Sequence, residues 1–288
     1  MLKYGAIAGG EKSTVDAAFQ ILENSGNAFD ATVGAVFTSM VSEYTLTGGG
    51  GAFLACPVNC EPTLFDFFVD TPPPQNEKDL DFFSIQVDFG PSQQEFHIGQ
   101  GSVAIPGNTA GLLMVHKRLG QLPLKAVLEP SITAARSGVI INDAQAYLIK
   151  ILEPILTHSH AGLDLFRPNG ELLNHGDRFQ ILAFADFLEI LVHEGDRFFY
   201  EGDGADLILK TIGEKSLITQ ECLASYVVVE RVPLKSSFKG KTIYTNPPPS
   251  NGGALITFLL KLLDQAATGS TSDFIRLVKA MEITSKVR

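Results

Sequence analysis

The sequence predicts an α+β fold, and three features of the chain carry that prediction. Apolar residues recur at helical spacing before residue 43, short β-type runs follow a run of four glycines, and a mainly helical middle spans about residues 108–225. Strand signals return after residue 225, and a further apolar helix follows them. The chain therefore mixes helices with antiparallel strands, and no repeat or low-complexity linker divides it.

Two helices are predicted before the glycines. Ser13 is a candidate N-cap for the first, whose expected buried face includes Val15, Ala18, Phe19 and Leu22. Asn27 or Asp30 opens the second. Gly34 and Ala35 leave one face of this second helix nearly flat, which allows close packing against another element.

The glycine run, Gly48–Gly51, has two interpretations. Glycine is costly to order, so four in succession indicate a sharp turn or a close approach of the backbone to another group. That group is either another segment of protein or a ligand anion held by backbone N–H groups. The spacing excludes a dinucleotide fingerprint, whose third glycine would fall at Phe53, and no Gly-Lys-Ser/Thr follows to make a phosphate-binding loop.

Further strands and helices are predicted along the rest of the chain. A hairpin is predicted first, and a second pair of strands flanks a Gly-Pro turn; Tyr226–Glu230 and Thr242–Thr245 are the later strands. The first four strands are Ala52–Cys56, Thr63–Val69, Phe82–Phe89 and Glu95–Ile98. The predicted helices are Asn108–Leu119, Lys125–Arg136, Ala144–Glu153, Ile181–His193, Ala254–Leu263 and Asp273 to about Ile283.

Composition narrows the classes of function. The 288 residues are 45% hydrophobic and carry a formal charge of -10 with no basic run, which argues against nucleic-acid or anionic-membrane partners. No stretch is apolar enough for a signal peptide core or a membrane span, so the expected location is cytoplasmic. The three cysteines fit reduced thiols in that compartment.

Metal and acid–base signals are weak. Cys56 and Cys60 have the spacing of half a zinc site, but no second pair completes it, and Cys56 is expected to be a small buried hydrophobe. His158 and His160 are better explained as part of a polar loop than as metal ligands. No metal or organic cofactor is implied.

Two pairs of polar residues are candidates for ligand contacts. Asp66 and Asp70 bracket an aromatic strand, where they either orient a substrate amine or serve as ordinary strand-end residues. Ser250 and Asn251 precede Gly252-Gly253 and a predicted helix, so they cap that helix or help bind an anion.

The order of motifs resembles the large-subunit half of the γ-glutamyltranspeptidase family, the glutathione hydrolases. The resemblance runs from about Gly5 to at least Leu263. Its motifs are Glu11–Ala18, Gly26–Ala31, Gly48–Gly51, Gly101–Gly107 with Ala110-Gly111, Gly120–Pro123, Phe199–Gly202 and Tyr244–Gly253.

This resemblance implies a four-layer α/β/β/α N-terminal-nucleophile hydrolase fold, with residues 1–288 forming one large-subunit-like domain. Family members cut a precursor into two subunits and use the newly exposed threonine of the small subunit as nucleophile, with its α-amine as base. No residue of this chain is assigned as nucleophile. A small subunit with an N-terminal threonine is therefore the expected partner, and a γ-glutamyl or related amide is the expected substrate. A homodimer, or aggregation of the chain when alone, is a further expectation because unpaired edges and apolar surface would remain.

The chain departs from the family pattern at Phe68. Members that bind glutathione well carry an arginine there, in a D-G-R-E-type segment, where it pairs with the α-carboxylate of the glutamyl group. Losing that clamp is expected to weaken carboxylate recognition by about 1.5 to 3 kcal/mol. The resemblance therefore implies poor γ-glutamyl hydrolysis, improved in KM by Phe68→Arg. The candidate substrate contacts are thus Phe68, from the resemblance, and Asp66 and Ser250, from the residues themselves.

Two other classes of function stay open at this stage. One is a non-catalytic remnant or binding module of the same fold. The other is an unrelated anion-binding enzyme that uses the glycine loop.

Overall fold

Residues 5–74, 79–265 and 273–287 are described by the computed structural model. The chain divides into two compact units, each made of two stretches. Unit 1 comprises Met1–Gly51 and Phe67–Val228, and unit 2 comprises Ala52–Asp66 and Val229–Arg288. The mainly helical middle expected over about residues 108–225 lies within unit 1, and it contains most of the helices.

Helices account for most of the ordered elements. In chain order they are α1 (Lys12–Glu23), α2 (Ala28–Ser42), α3 (Asn108–Leu119), α4 (Leu124–Ser137), α5 (Asp143–Ile151), α6 (Glu153–Leu156), α7 (His160–Phe166), α8 (Leu182–Glu194), α9 (Arg197–Tyr200), α10 (Asp203–Ile212), α11 (Gln220–Ala224), α12 (Asn251–Gln265) and α13 (Asp273–Val287). A short 3₁₀ turn, Gln100–Ser102, precedes α3.

The strands are short and form small sheets. They are β1 (Gly51–Ala55), β2 (Thr63–Phe67), β3 (Phe83–Asp88), β4 (Gln93–Ile98), β5 (Val139–Ile140), β6 (Arg178–Phe179), β7 (Val229–Arg231), β8 (Leu234–Phe238) and β9 (Lys241–Thr245). β2 lies between β1 and β7, while β3 pairs with β4, β5 with β6 and β8 with β9. The last three pairs and β2–β7 are antiparallel.

Close helix packing forms the core of unit 1. α2 packs against α1 and α4, and α4 also packs against α8. Gly34 allows α2 to lie close to both α1 and α4. A Cβ at this position would collide with the side chain of Ile21 on α1 and lie 2.7 Å from the carbonyl oxygen of Val127 on α4. The close packing predicted at Gly34 is therefore confirmed, whereas Ala35 is only half-buried. Phe37 is fully buried on α2.

The start of α2 was predicted correctly, but that of α1 was not. Asn27 caps α2, with its side chain accepting N–H groups of Phe29 and Asp30 at 2.8 and 2.9 Å. On α1 the cap is Glu11 and not Ser13, because the Glu11 carboxylate accepts the N–H of Ser13.

The buried face of α1 also differs from the prediction. Phe19 is 51% exposed, while the side chains that face the interior are shorter. They are Thr14, Ala17, Ala18 and Ile21.

Two further predictions of local structure were wrong. Of the strand predicted at Tyr226–Glu230, only the end is a strand, because β7 begins at Val229 and pairs with β2 over three residues. The loop predicted around His158 and His160 contains the start of α7, which Ser159 caps by accepting the N–H of Gly162 at 3.0 Å.

Among the described residues, no helix combines the length and the apolar character that crossing a membrane requires.

Candidate functional site

One residue that the sequence singles out for substrate contact, Phe68, lies in the segment Phe67–Asp70, which begins with the last residue of β2 and is called here the Phe68 segment. Its far end is fixed by a pair of backbone hydrogen bonds within unit 1. The N–H of Asp70 donates to the carbonyl of Ile105 at 3.0 Å, and the N–H of Ile105 donates back at 2.8 Å. The segment is therefore anchored to the stretch that leads into α3.

The glycine run lies directly against this segment. A Cβ on Gly50 would fall 2.5 Å from the amide nitrogen of Val69 and 2.9 Å from the carbonyl oxygen of Phe67. The neighbouring Gly49 carbonyl accepts the N–H groups of Gly107 and Asn108 at 2.8 and 2.9 Å. These contacts support the packing interpretation of the run, since the backbone of another segment occupies the space where a side chain would lie.

Two tyrosine hydroxyls donate hydrogen bonds to the backbone of the same region. The Tyr226 hydroxyl donates to the carbonyl oxygen of Phe68 at 2.8 Å, and the Tyr200 hydroxyl donates to that of Pro106 at 2.7 Å. The two rings are stacked with centroids 5.5 Å apart and planes 8° apart. Burial raises the pKa of the Tyr200 phenol above its ordinary value, so this group stays protonated and acts as a donor at neutral pH.

Glycines at the start of α3 leave room for this arrangement. A Cβ on Gly107 would collide with the Tyr226 hydroxyl and the Phe67 carbonyl, and one on Gly111 would enter the Phe67 ring. An apolar cluster around Tyr200 lies beside these residues in unit 1. Its buried members are Ile105, Ala110, Tyr200, Ala205, Ile218 and Leu223.

The side chain of Phe68 points away from this packing. It is 67% exposed, whereas Phe67 is 3% exposed. Alternation along the extended chain places one ring in the core and presents the next to solvent. A fixed backbone thus presents an aromatic surface at the position where the sequence comparison expects a substrate-contacting residue.

Asp66 is engaged by a basic residue of the next strand. The Arg231 Nε donates to the Asp66 carboxylate at 2.6 Å, and both side chains are largely buried. Arg231 lies opposite Leu64 in the β2–β7 register, which brings its side chain diagonally toward Asp66. The contact of Asp66 with a substrate amine stays a prediction, and a substrate would find this carboxylate already paired.

Ser250 lies elsewhere in the chain, in unit 2, at the residue before α12. Its N–H donates to the Pro247 carbonyl at 3.2 Å and closes a turn. Gly253 is buried in the first turn of α12, where a Cβ would collide with the backbone of Asn246. The structure thus shows how the Tyr244–Gly253 motif turns into a helix, and the role of Ser250 in binding stays a prediction.

The cysteines differ from expectation. Cys56 and Cys60 are both exposed thiols beside the turn after β1, so the prediction that Cys56 is a buried hydrophobe was wrong. Across the residues that the structure describes, no cluster of three or more His, Cys, Asp or Glu side chains could hold a metal ion. His158 contacts the ring of Phe83 edge-on, with centroids 5.4 Å apart.

Comparison with known proteins decides the family. The family model described as Gamma-glutamyltranspeptidase matches residues 14–288. The chain belongs to the gamma-glutamyltranspeptidase family. Solved members share its fold: superposition on the crystal structure of the Helicobacter pylori gamma-glutamyltranspeptidase gives a TM-score of 0.84 at 26% identity, covering 99% of this chain and 83% of that one. The expected α+β, N-terminal-nucleophile hydrolase class is thereby confirmed.

Curated relatives of this gamma-glutamyltranspeptidase family chain carry different names. The glutathione hydrolase proenzyme of Escherichia coli K12 is 30% identical over 266 residues, which are 91% of this chain and 45% of the relative. The acylase ACY 1 proenzyme of Pseudomonas sp. SE83 is 28% identical over 274 residues, covering 92% and 49%. The chain thus spans about half the length of the curated relatives that it matches.

Sequence reasoning found the Phe68 segment but missed the residues that hold it. Tyr226 was assigned to a strand, and neither tyrosine was considered a partner of the segment. The sequence did contain one signal of these contacts, the two glycines Gly107 and Gly111 in a single motif. Glycines at the start of an apolar helix indicate that another group packs closely against the backbone there. Which group approaches depends on contacts with residues far away in sequence.

Proposed function

We propose that this chain is the large-subunit part of a threonine-nucleophile enzyme that cleaves or transfers acyl groups from amides. The observation that carries the proposal is the family match over residues 14–288, together with relatives of about twice this length that are named proenzymes. The proposed partner is a small subunit that begins with threonine. This chain would shape part of the acyl-binding site, and its partner would supply the reacting hydroxyl.

In the proposed reaction, the threonine hydroxyl attacks the amide carbonyl while the free α-amine of the same residue accepts its proton. The amine of the substrate leaves with a proton, and an ester between threonine and the acyl group remains. Water or an acceptor amine then resolves this acyl-enzyme. Donors from the partner would stabilise the oxyanion that forms in each step.

Phe68 sets the expected preference among amides. An arginine at this position would pair with the α-carboxylate of a γ-glutamyl group, and the exposed Phe68 ring offers no such charge. We therefore propose that γ-glutamyl amides are poor substrates. The acylase among the relatives fits a site within this family that accepts other acyl groups.

The proposal is tested on protein recovered from its native source through an affinity tag on this chain. Mass spectrometry of the complex should identify a second chain whose first residue is threonine, and acyl p-nitroanilides should release p-nitroaniline. An electrophilic glutamine analogue or acyl donor should add mass to that threonine. Recovery of the chain alone, without amide cleavage, would instead support a non-catalytic remnant of the fold.

The proposal also covers the cellular location of the enzyme and the number of subunits in the complex. The exposed thiols of Cys56 and Cys60 fit a reducing compartment, so we propose a cytoplasmic location, which fractionation of the native cells would check. Size measurement of the same complex would distinguish one copy of each subunit from a homodimer of such pairs.

A further inference from the structure

The backbone that carries the exposed ring of Phe68 is held by several contacts. The Tyr226 hydroxyl donates to the Phe68 carbonyl at 2.8 Å, Gly50 packs on the neighbouring backbone, and two hydrogen bonds join Asp70 to Ile105. An aromatic side chain on a fixed backbone loses less entropy when an apolar group covers it than one on a mobile loop. Such a ring is suited to recognise a ligand by shape and burial.

The charges around this ring disfavour a ligand carboxylate. The segment from Asp66 to Asp70 contains two carboxylates and no basic residue. Arg231, on the strand that pairs with β2, is bonded to Asp66 through its Nε at 2.6 Å. Asp70 is exposed and lies two residues further along the extended segment, on the face that Phe68 shares by alternation, so an anionic group lying on Phe68 would face a like charge.

We infer that the acyl group bound by this enzyme is uncharged and apolar, and that it lies against the ring of Phe68. The inference rests on the proposed function and names its substrate class. In the first step the threonine oxygen forms an ester with the acyl carbon, the amide C–N bond breaks, and the amine leaves as the neutral amine. Water then cleaves the ester, which releases the apolar carboxylic acid and restores the hydroxyl.

The test compares acyl groups with a constant leaving group. The tagged complex from the native source is assayed with the p-nitroanilides of phenylacetic acid, glutaric acid and γ-linked glutamic acid. We expect kcat/KM for the phenylacetyl compound to exceed both others by about tenfold or more, the scale of one apolar contact in a specificity pocket. A γ-glutamyl or glutaryl compound that is cleaved as well as the phenylacetyl one overturns the inference and leaves the proposed function intact.

Substitutions at Phe68 test whether this ring causes the preference for an apolar acyl group. Phe68→Leu should keep the order of substrates, whereas Phe68→Arg should lower KM for the two acyl groups that carry a free carboxylate by roughly 10- to 100-fold and raise it for phenylacetyl. Phe19→Arg is the matched control, because Phe19 is 51% exposed on α1 and carries the same change of charge. An equal effect of both arginine variants on the substrate order would overturn the role of Phe68.

Tyr226→Phe tests the positioning of the ring. It removes the hydrogen bond to the Phe68 carbonyl and keeps the aromatic stack with Tyr200. KM for the phenylacetyl substrate should rise severalfold with kcat nearly unchanged, while KM for the two substrates with a free carboxylate stays the same. Equal changes in all three would show a general structural role and contradict positioning. If no acyl compound is cleaved and no threonine is acylated, the proposed function fails together with the inference.

Discussion

At the scale of single residues, Gly50 and Gly48 occupy the same run but have different surroundings. A Cβ on Gly50 would lie 2.5 Å from the Val69 nitrogen, whereas a Cβ on Gly48 would meet nothing within 4 Å. Gly50→Ala should therefore force the Phe68 segment to shift and lower the free energy of unfolding by about 2 kcal/mol, the usual cost of overpacking. Urea denaturation measures this change.

Gly48→Ala is the matched control for that substitution. It adds the same methyl group in open space and reduces the freedom of the unfolded chain, so it should be neutral or stabilise by up to about 1 kcal/mol. Equal losses in the two variants would show that the glycines are needed for backbone conformation alone. The packing interpretation of the run would then be wrong.

Two buried tyrosine hydroxyls predict opposite effects of the same substitution. The Tyr44 hydroxyl is buried with no hydrogen-bond partner among the described residues, whereas the Tyr200 hydroxyl donates to Pro106. Tyr44→Phe should raise the free energy of unfolding by about 1 kcal/mol because it removes an unpaired polar group. Tyr200→Phe should lower it by about 1 to 2 kcal/mol because the Pro106 carbonyl loses its donor. Two variants with the same sign would contradict this assignment.

The same tyrosines predict loss of stability at alkaline pH. Burial raises the pKa of both phenols in the folded chain, so their contribution is complete below the unfolded value of about 10. As the pH rises above that value, the unfolded state loses protons first. The free energy of unfolding should then fall by about 1.4 kcal/mol per pH unit for each tyrosine. Urea denaturation between pH 9 and 11 should show a shallower fall in either phenylalanine variant than in the wild type.

At the scale of elements, one carboxylate joins the start of α2 to the loop between α3 and α4. Asp30 is fully buried and accepts N–H groups of Asn27 at 3.0 Å, Gln121 at 3.0 Å and Leu122 at 3.2 Å. Asp30→Ala would leave these donors unpaired and should lower the free energy of unfolding by about 3 kcal/mol.

Asp16→Ala provides the comparison for the loss of a carboxylate. Asp16 pairs with Lys12 on the surface of α1, where the two side chains are 58% and 83% exposed. Its removal should cost no more than about 0.5 kcal/mol. Thermal unfolding of both variants measures the difference, and similar melting temperatures would show that the buried connection contributes little.

The same elements show what the sequence could and could not predict. The bounds of α3 and the pairing of β3 with β4 follow from local spacing and turn residues, and both were predicted correctly. Val227–Val229 has the composition of a strand, yet pairing with β2 begins only at Val229, opposite Asp66. Composition states what a segment can form, and the neighbouring strand decides where pairing begins.

Side-chain partners far away in sequence could not be predicted either. The bond from Tyr226 to Phe68 spans 158 residues, and nothing local to either residue indicates it. The Arg231–Asp66 pair likewise depends on the register of β2 and β7. The family resemblance located the Phe68 segment, but only the folded chain shows how its backbone is fixed.

At the scale of the whole molecule, the chain is about half as long as its curated relatives, and some of its apolar surface is exposed. α13 illustrates this. Its exposed apolar side chains are Phe274, Ile275, Leu277, Val278, Met281, Ile283 and Val287. A soluble monomer rarely exposes so many apolar side chains on one helix, so another protein surface is expected to cover some of them.

The isolated 288-residue chain should therefore associate with itself, despite its formal charge of -10. Sedimentation velocity at tens of micromolar should show dimers or larger species. Replacing Phe274 and Met281, which are 72% and 52% exposed, by lysine should shift the chain toward monomer. Val58→Lys is the control, because Val58 is 87% exposed in the turn between β1 and β2 and its replacement should leave the distribution unchanged. A wild-type chain that sediments as a single monomer would show that α13 needs no cover, since the exposed apolar side chains would then be tolerated in water.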